Sequence, residues 1–543
     1  MSFIETLFSN LHANPEVPFI RETHGTDIRD NNGSGMAANI GRIRHSLREK
    51  GVKAGSRVVL VAPNSALWVA TDLAILAEGA ISVPMYARQD AKELVAMMRD
   101  CKPRRVIVAT QALKTAIKAE WARAPLMTFD EVLDTQDIVT DPPQPRSDED
   151  VATIIYTSGT SGEPKGVMLT VGNIDHMLPV TRDHLDTMMG PREGDDRVFH
   201  YLPFCFAGSR VVLWTCLFRS NPLFVSTDLD NLSTEMGVAK PNYFLNVPVL
   251  LERIKNAVEE GVRKKPKMVQ RLYDSGKKAF SKIQAGEDGA IDRLKYALAK
   301  RVVYEAIRTK IGPNLRCLIC GSAPLGEDTQ HWFMMLGIPV YQVYGLTETT
   351  AIATMDRPPE TTVPGWVGLP IPGVETMITD EGELLLKGPN IFSGYWGKKD
   401  ITETAFVDGW FRTGDQVELD DDGRIRVIGR VRNLLVPSSG HNVAPEPIEQ
   451  RMVETIEGAE HVVVIGHGKP YLTAIITGNT DASTLQASID AVNSELPHYR
   501  RVRKFHHSEE LLTIENGLLT ATSKLKRSAI TVHFADAIDG MYA

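Results

Sequence analysis

Between Tyr156 and Gly166 the chain reads Tyr-Thr-Ser-Gly-Thr-Ser-Gly-Glu-Pro-Lys-Gly, which puts four Ser and Thr hydroxyls, three glycines and a lysine into one short stretch. Small donors on a compliant backbone, with a cation beside them, suit the wrapping of a polyphosphate. Thr157, Ser158, Thr160 and Ser161 would hold its terminal phosphates together with the backbone of Gly159 and Gly162, and Lys165 would offset their charge. The stretch is not a Walker A loop, because Pro164 stands where that pattern needs glycine and Gly166 where it needs Ser or Thr. Apolar runs flank it at Val151–Ile155 and Val167–Leu169. These read as strands, so a helix dipole is not the main anion trap. A long surface turn uses the same residue types, and the stretch therefore needs support from the rest of the chain.

The elements that must position it follow an alternating pattern. Val58–Ala62 reads as a strand, Leu67–Leu76 as a helix, Ala80–Met85 as a strand, Ala91–Met98 as a helix and Val106–Ala109 as a strand. That alternation predicts βαβ units on a parallel sheet, hence an α/β fold. Residues 140–150, rich in Pro and Asp, read as the connector into the phosphate stretch. The segment Arg253–Lys310 is long, helical and basic, with Val269, Leu272, Phe280 and Ile283 near helical spacing. It reads as a solvated helical pair, as a flank of a substrate pocket, or as a patch that meets an anionic membrane or a carrier protein.

At 543 residues the chain exceeds what one core fills, so at least two domains are expected. A net charge of −8 gives no reason to expect nucleic-acid binding. The most apolar region, residues 66–87, is broken by Asp72, Glu78 and Pro84, and reads as a buried helix and strand rather than a membrane span. Five scattered cysteines and no secretory pattern at the N-terminus predict a cytoplasmic location. Cys317 and Cys320 form a lone CxxC with no second pair, and read as small buried strand residues.

Further along, five more segments fall in a telling order: Tyr344-Gly345-Leu346-Thr347-Glu348-Thr349, Gly409-Trp410-Phe411-Arg412-Thr413-Gly414-Asp415, Gly429-Arg430, Ser439-Gly440-His441-Asn442 and Thr520–Arg527. With the phosphate stretch, they resemble the motifs of the adenylate-forming superfamily, which includes acyl-CoA synthetases, peptide-synthetase adenylation domains and firefly luciferase. The resemblance covers most of the chain and is closest to the long-chain fatty acyl-CoA synthetases. It implies a large N-terminal domain of mixed α/β layers with parallel sheets, residues 1–429. A hinge at 430–433 and a small, mobile α+β C-terminal domain, 434–543, would follow.

The same resemblance assigns roles. Glu348 would bind Mg²⁺ and Thr347 would touch the α-phosphate of ATP. Tyr344 and Gly345, with the small residues Gly321, Ser322, Ala323 and Pro324, would accept the adenine. Asp415 can accept hydrogen bonds from both ribose hydroxyls, with Arg430 as an added donor; a turn aspartate would have the same local sequence. Lys524 would reach the α-phosphate and the substrate carboxylate. The spacing does not separate it from Lys526; the family motif does.

Two places depart from the family pattern. At the hinge, Arg432-Asn433 replaces the usual acid with an amide. In Leu202-Pro203-Phe204-Cys205-Phe206-Ala207-Gly208, which resembles the motif gating the acyl site, Phe206 stands where relatives often have histidine. With Gly208 beside it, the gate predicts a large hydrophobic acid, either a long-chain fatty acid or a bulky polycyclic one; Phe206 as ordinary core is the plainer reading. Ser439, Gly440 and His441 would line the channel for CoA. The expected reaction is formation of acyl-AMP and then of acyl-CoA. Alternatives are an acyl-AMP ligase loading a carrier protein, a luciferase-type oxygenase, and a nucleotide sensor without catalysis.

Overall fold

The computed structural model describes residues 1–158, 164–357, 362–438, 441, 443–520 and 524–543, with the Ser158 side chain excepted. Four of the predicted phosphate-binding residues (Gly159, Thr160, Ser161 and Gly162) lie outside the described residues, as do Ser439 and Gly440 of the predicted CoA channel. The chain divides into two compact units. One comprises residues 1–87, 91–375 and 387–404, and the other 88–90, 376–386 and 405–543.

The larger unit is built on two sheets. In the first, five parallel strands run in the order Val151–Ser158, Ile81–Met85, Arg57–Val61, Arg105–Val108, Leu126–Thr128. Pro164–Thr170 pairs antiparallel with Val151–Ser158, and Gly394–Tyr395 closes that edge. The second sheet has nine strands. Its parallel centre runs Val340–Tyr344, Leu318–Cys320, Tyr243–Asn246, Val198–His200, Leu223–Ser226 and Pro18–His24. One core takes side chains from both, including Leu60 and Ile107 of the first sheet and Val198, Val225 and Ile319 of the second. The helix Ala66–Ala77 packs into it and is buried on nearly every side, which explains its unbroken apolar sequence.

The predicted βαβ alternation is present, with observed elements Arg57–Val61, Ala66–Ala77, Ile81–Met85, Ala91–Cys101 and Arg105–Val108. Cys320 is on a strand and Cys317 one residue before one, both buried as expected. The basic segment forms helices Pro248–Arg263 and Lys267–Ala285 and a third that runs on from Ala290. No helix among the described residues is long and apolar enough to cross a membrane.

The smaller unit is α+β. Trp410–Leu419 pairs antiparallel with Ile425–Arg430 in a small sheet. A second, three-stranded sheet, Ala459–Ile465, Leu472–Gly478 and Val502–Ser508, packs against helices Glu446–Thr455 and Ala482–Glu495.

Candidate active site

The two described ends of the phosphate stretch lie on the paired strands of a hairpin, Val151–Ser158 and Pro164–Thr170. Thr157 lies opposite Lys165 and Ser158 opposite Pro164, so the two strands bring the Thr157 and Lys165 positions together. Gly166 allows this register, since a Cβ there would stand 2.7 Å from Ile154 Cγ2 and 3.3 Å from Trp396 Cβ.

The Thr347–Thr349 turn is held to that hairpin by a segment the sequence reading missed. Gly394–Tyr395 pairs with the Lys165 strand, Tyr395 opposite Val167, and Trp396 N–H donates to Gly166 O at 2.7 Å. The Tyr395 hydroxyl donates to Glu348 Oε1 at 2.9 Å, while Lys165 Nζ sits over the Tyr395 ring, 5.2 Å from its centre. A tyrosine thus stands between the lysine and the glutamate and holds each by a different face. Phe392 N–H donates to Glu348 O, and buried Asn390 donates to Thr349 O and Ile352 O. These contacts hold Thr350 and Ala351 in left-handed backbone at φ 51° and 83°, a conformation that costs non-glycine residues energy unless its surroundings fix it. Gly345 is required by the same turn, because a Cβ there would meet Ala351 O at 2.0 Å.

Tyr344 ends one strand of the second sheet, and Gly321-Ser322-Ala323-Pro324 follows the end of its parallel neighbour. Both lie at carboxyl ends of strands, the usual ligand edge of such sheets. Gly321 packs against Val343, with its missing Cβ 2.6 Å from Val343 Cγ2.

On the acyl side, Phe206 precedes helix Ala207–Phe218 and is half-buried, with its ring 6.0 Å from Tyr86. The core position belongs instead to Phe204, which contacts Trp68 and stacks on His200. A Cβ on Gly208 would touch only Leu245, at 3.6 Å. His200 is fully buried, and burial pushes its pKa down to about 4. Unfolded, the same imidazole titrates near 6.5. Between these values the unfolded chain binds more protons, so stability falls as pH drops from about 6.5 toward 4. Relative to His200→Phe, the wild type is expected to lose about 2 kcal/mol more between pH 7.5 and pH 5, read from urea unfolding at the two pH values. Equal losses would contradict a neutral buried imidazole.

In the smaller unit, Asp415 lies on a strand rather than in a turn, directly opposite Arg430, with Arg430 Nε 2.8 Å from Asp415 Oδ1. Arg430 also donates to Thr413 O, and Thr413 Oγ1 accepts from Asp415 N–H. Arg412 is occupied by Glu383.

The predicted hinge residues Arg432 and Asn433 lie in a single turn, Val431–Asn433. Asn433 Nδ2 donates to Glu446 Oε1 at 2.7 Å, which gives the departure from the family pattern a physical reason. An aspartate would set two carboxylates at hydrogen-bonding distance, whereas the amide donates. Asn433→Asp is therefore expected to cost roughly 1–2 kcal/mol of stability at pH 8. Repulsion raises the carboxyl pKa in the fold, so the penalty should shrink as pH falls and the pair protonates. Unfolding at pH 8 and pH 5 would check this.

Three cations crowd the C-terminal motif. Arg527 is committed to Glu449, with contacts of 2.8 and 2.6 Å. Lys526 is half-buried, and Lys524 is exposed. Thr520 N–H donates to Lys524 O and Thr520 Oγ1 accepts from Lys524 N–H, which ties the backbone of this lysine to Thr520. His441 rests on Tyr499, ring centres 4.3 Å apart.

Residues 28–396 match the profile of the AMP-binding enzyme family, and residues 432–543 match that of the AMP-binding enzyme C-terminal domain. The chain belongs to the AMP-binding enzyme family. This AMP-binding enzyme is 30% identical over 539 residues to the long-chain-fatty-acid–CoA ligase FadD15 of Mycobacterium bovis, covering 91% of this chain and 89% of that one. It is 26% identical over 578 residues to long chain acyl-CoA synthetase 3 of Arabidopsis thaliana, covering 92% and 85%. Among solved structures, ATP-bound MatB from Rhodopseudomonas palustris superposes with a TM-score of 0.76 at 23% identity, covering 99% of this chain and 100% of that one.

Proposed function

We propose that this AMP-binding enzyme activates a large hydrophobic carboxylic acid with ATP to form acyl-AMP and pyrophosphate, then transfers the acyl group to CoA. The observation that carries the reading is the Lys165–Tyr395–Glu348 arrangement. Attack of one anion on another is slow unless cations and donors are fixed where charge gathers. Lys165 and the hydroxyls of Thr157 and Ser158 meet the leaving pyrophosphate. Glu348 offers hard carboxylate oxygen of the kind Mg²⁺ prefers, and the ion when bound would neutralise phosphate charge. Thr347 stands beside it as a donor. Tyr344 and the Gly321–Pro324 segment take the base, and the Asp415–Arg430 pair takes the ribose.

Lys524 supplies the last cation, to the α-phosphate and the acid's carboxylate in the reacting complex. The turn at 430–433 serves as the hinge that carries the change between the two half-reactions. His441 lines the thiol path.

A fatty acid as substrate is supported by the similarity to long-chain fatty acid–CoA ligases and by the half-buried apolar gate. Gly208 leaves room beside that gate, so Gly208→Leu is expected to move the preferred acid to a shorter chain while sparing activity on short acids. Thioester formation across a chain-length series, with CoA or with an acyl carrier protein as acceptor, tests the reading. A series that never yields a CoA thioester would replace it with carrier loading.

A further inference from the structure

The third helix of the basic segment runs from Ala290 through a π-helical turn, Lys300–Tyr304, to Ile311. Its inner face is fully used. Ala299, Val303 and Tyr304 are buried, the Tyr304 hydroxyl donates to Tyr273 O at 2.8 Å, and the Tyr296 hydroxyl donates to Met335 O at 3.0 Å. The neighbouring helix is pressed against it so closely that a Cβ on Gly276 would fall 2.3 Å from Ala299 Cβ. The outer face of such a helix is ordinarily polar. Here it carries Ile291, Leu294, Leu298 and Val302, exposed by 68%, 70%, 52% and 55%. Their spacing of three, four and four residues aligns them in one stripe.

Charge around the stripe is one-sided. Residues 290–311 hold six basic side chains and two acids, in a chain whose net charge is −8. Asp292 turns to Lys282 of the neighbouring helix and Glu305 to Arg308, while Arg293 is taken by Asp288. Lys295, Lys300 and Arg301 are exposed, and none of them forms an ion pair among the described residues. Two copies meeting through this face would set these cations against each other. An anionic lipid surface takes both features at once, the aliphatic stripe entering the acyl boundary and the cations meeting headgroups.

We propose that the Ile291–Leu294–Leu298–Val302 face, with Lys295, Lys300 and Arg301, docks this protein on an anionic membrane surface. A long apolar acid concentrates in the same place, so docking would bring enzyme and substrate together. The inference stands apart from the catalytic reading, because binding to lipid needs no turnover. Flotation with vesicles of phosphatidylcholine, alone or in equal mixture with phosphatidylglycerol, tests it. The wild type should float with the mixed vesicles and bind the neutral ones at least tenfold less. Lys295→Glu/Lys300→Glu/Arg301→Glu should lose roughly a hundredfold in affinity for the mixed vesicles, and Leu294→Glu/Leu298→Glu at least tenfold. Thermal unfolding and pyrophosphate release with a short soluble acid, unchanged in both variants, establish that the fold is intact. Wild-type protein that floats with neither vesicle, or variants that float equally well, would overturn the proposal. So would a wild-type dimer that Leu294→Glu/Leu298→Glu dissociates without lipid, since the stripe would then be a contact between copies.

Discussion

Lys524→Ala is expected to lower acid-dependent pyrophosphate release by roughly two to three orders of magnitude, the usual cost of removing a group that meets charge developing in a transition state. Lys526→Ala should cost far less. The reason lies in what the three neighbouring cations do in the fold. Arg527 is spent on buried Glu449, Lys526 is half-buried, and Lys524 is exposed, with its backbone N–H held by Thr520. Transfer to CoA from acyl-AMP supplied ready-made should survive the Lys524 substitution, because the phosphate charge of the first step has by then been resolved. Equal losses in both variants would remove the distinction drawn here.

The second large effect is expected at Glu348. Glu348→Gln keeps an oxygen that can accept from the Tyr395 hydroxyl but removes the charge, so it separates the electrostatic role from the structural one. Adenylation should fall by about a hundredfold, and the concentration of Mg²⁺ needed for half-maximal rate should rise. Tyr395→Phe makes the complementary cut. It retains the ring beneath Lys165 and loses the hydroxyl at Glu348, and should cost about tenfold with little change in Mg²⁺ requirement. If Glu348→Gln left the Mg²⁺ dependence unaltered, the carboxylate would be holding the turn rather than a metal.

Much of this was legible in the sequence because the chemistry is local. The hydroxyls, glycines and lysine of residues 156–166 sit between two apolar runs, and a hairpin is what such a pattern folds into. The alternation over residues 57–109 likewise needs only neighbours to be read. Tyr395 escaped because its meaning is non-local. A two-residue strand gives little periodicity, and its partners, Lys165 and Glu348, are far away in the chain. Its sequence trace was a tyrosine and a tryptophan directly after Gly394, an aromatic pair at a conformationally unusual glycine with φ 136°. Asn433 was visible as a departure, but its reason, the carboxylate of Glu446, belongs to a helix that the sequence did not place. In residues 290–311 the basic character was plain, yet aliphatic residues occur on both faces, and only packing shows which of them are left outside.

The most direct test of the central claim is pyrophosphate release measured with and without a long-chain fatty acid, on wild type and Lys524→Ala, followed by assay of the CoA thioester. The account predicts release that depends on the acid, a thioester that appears only when CoA is added, and loss of release in the variant. Release that ignores the acid, or a Lys524→Ala enzyme as fast as wild type, would contradict it.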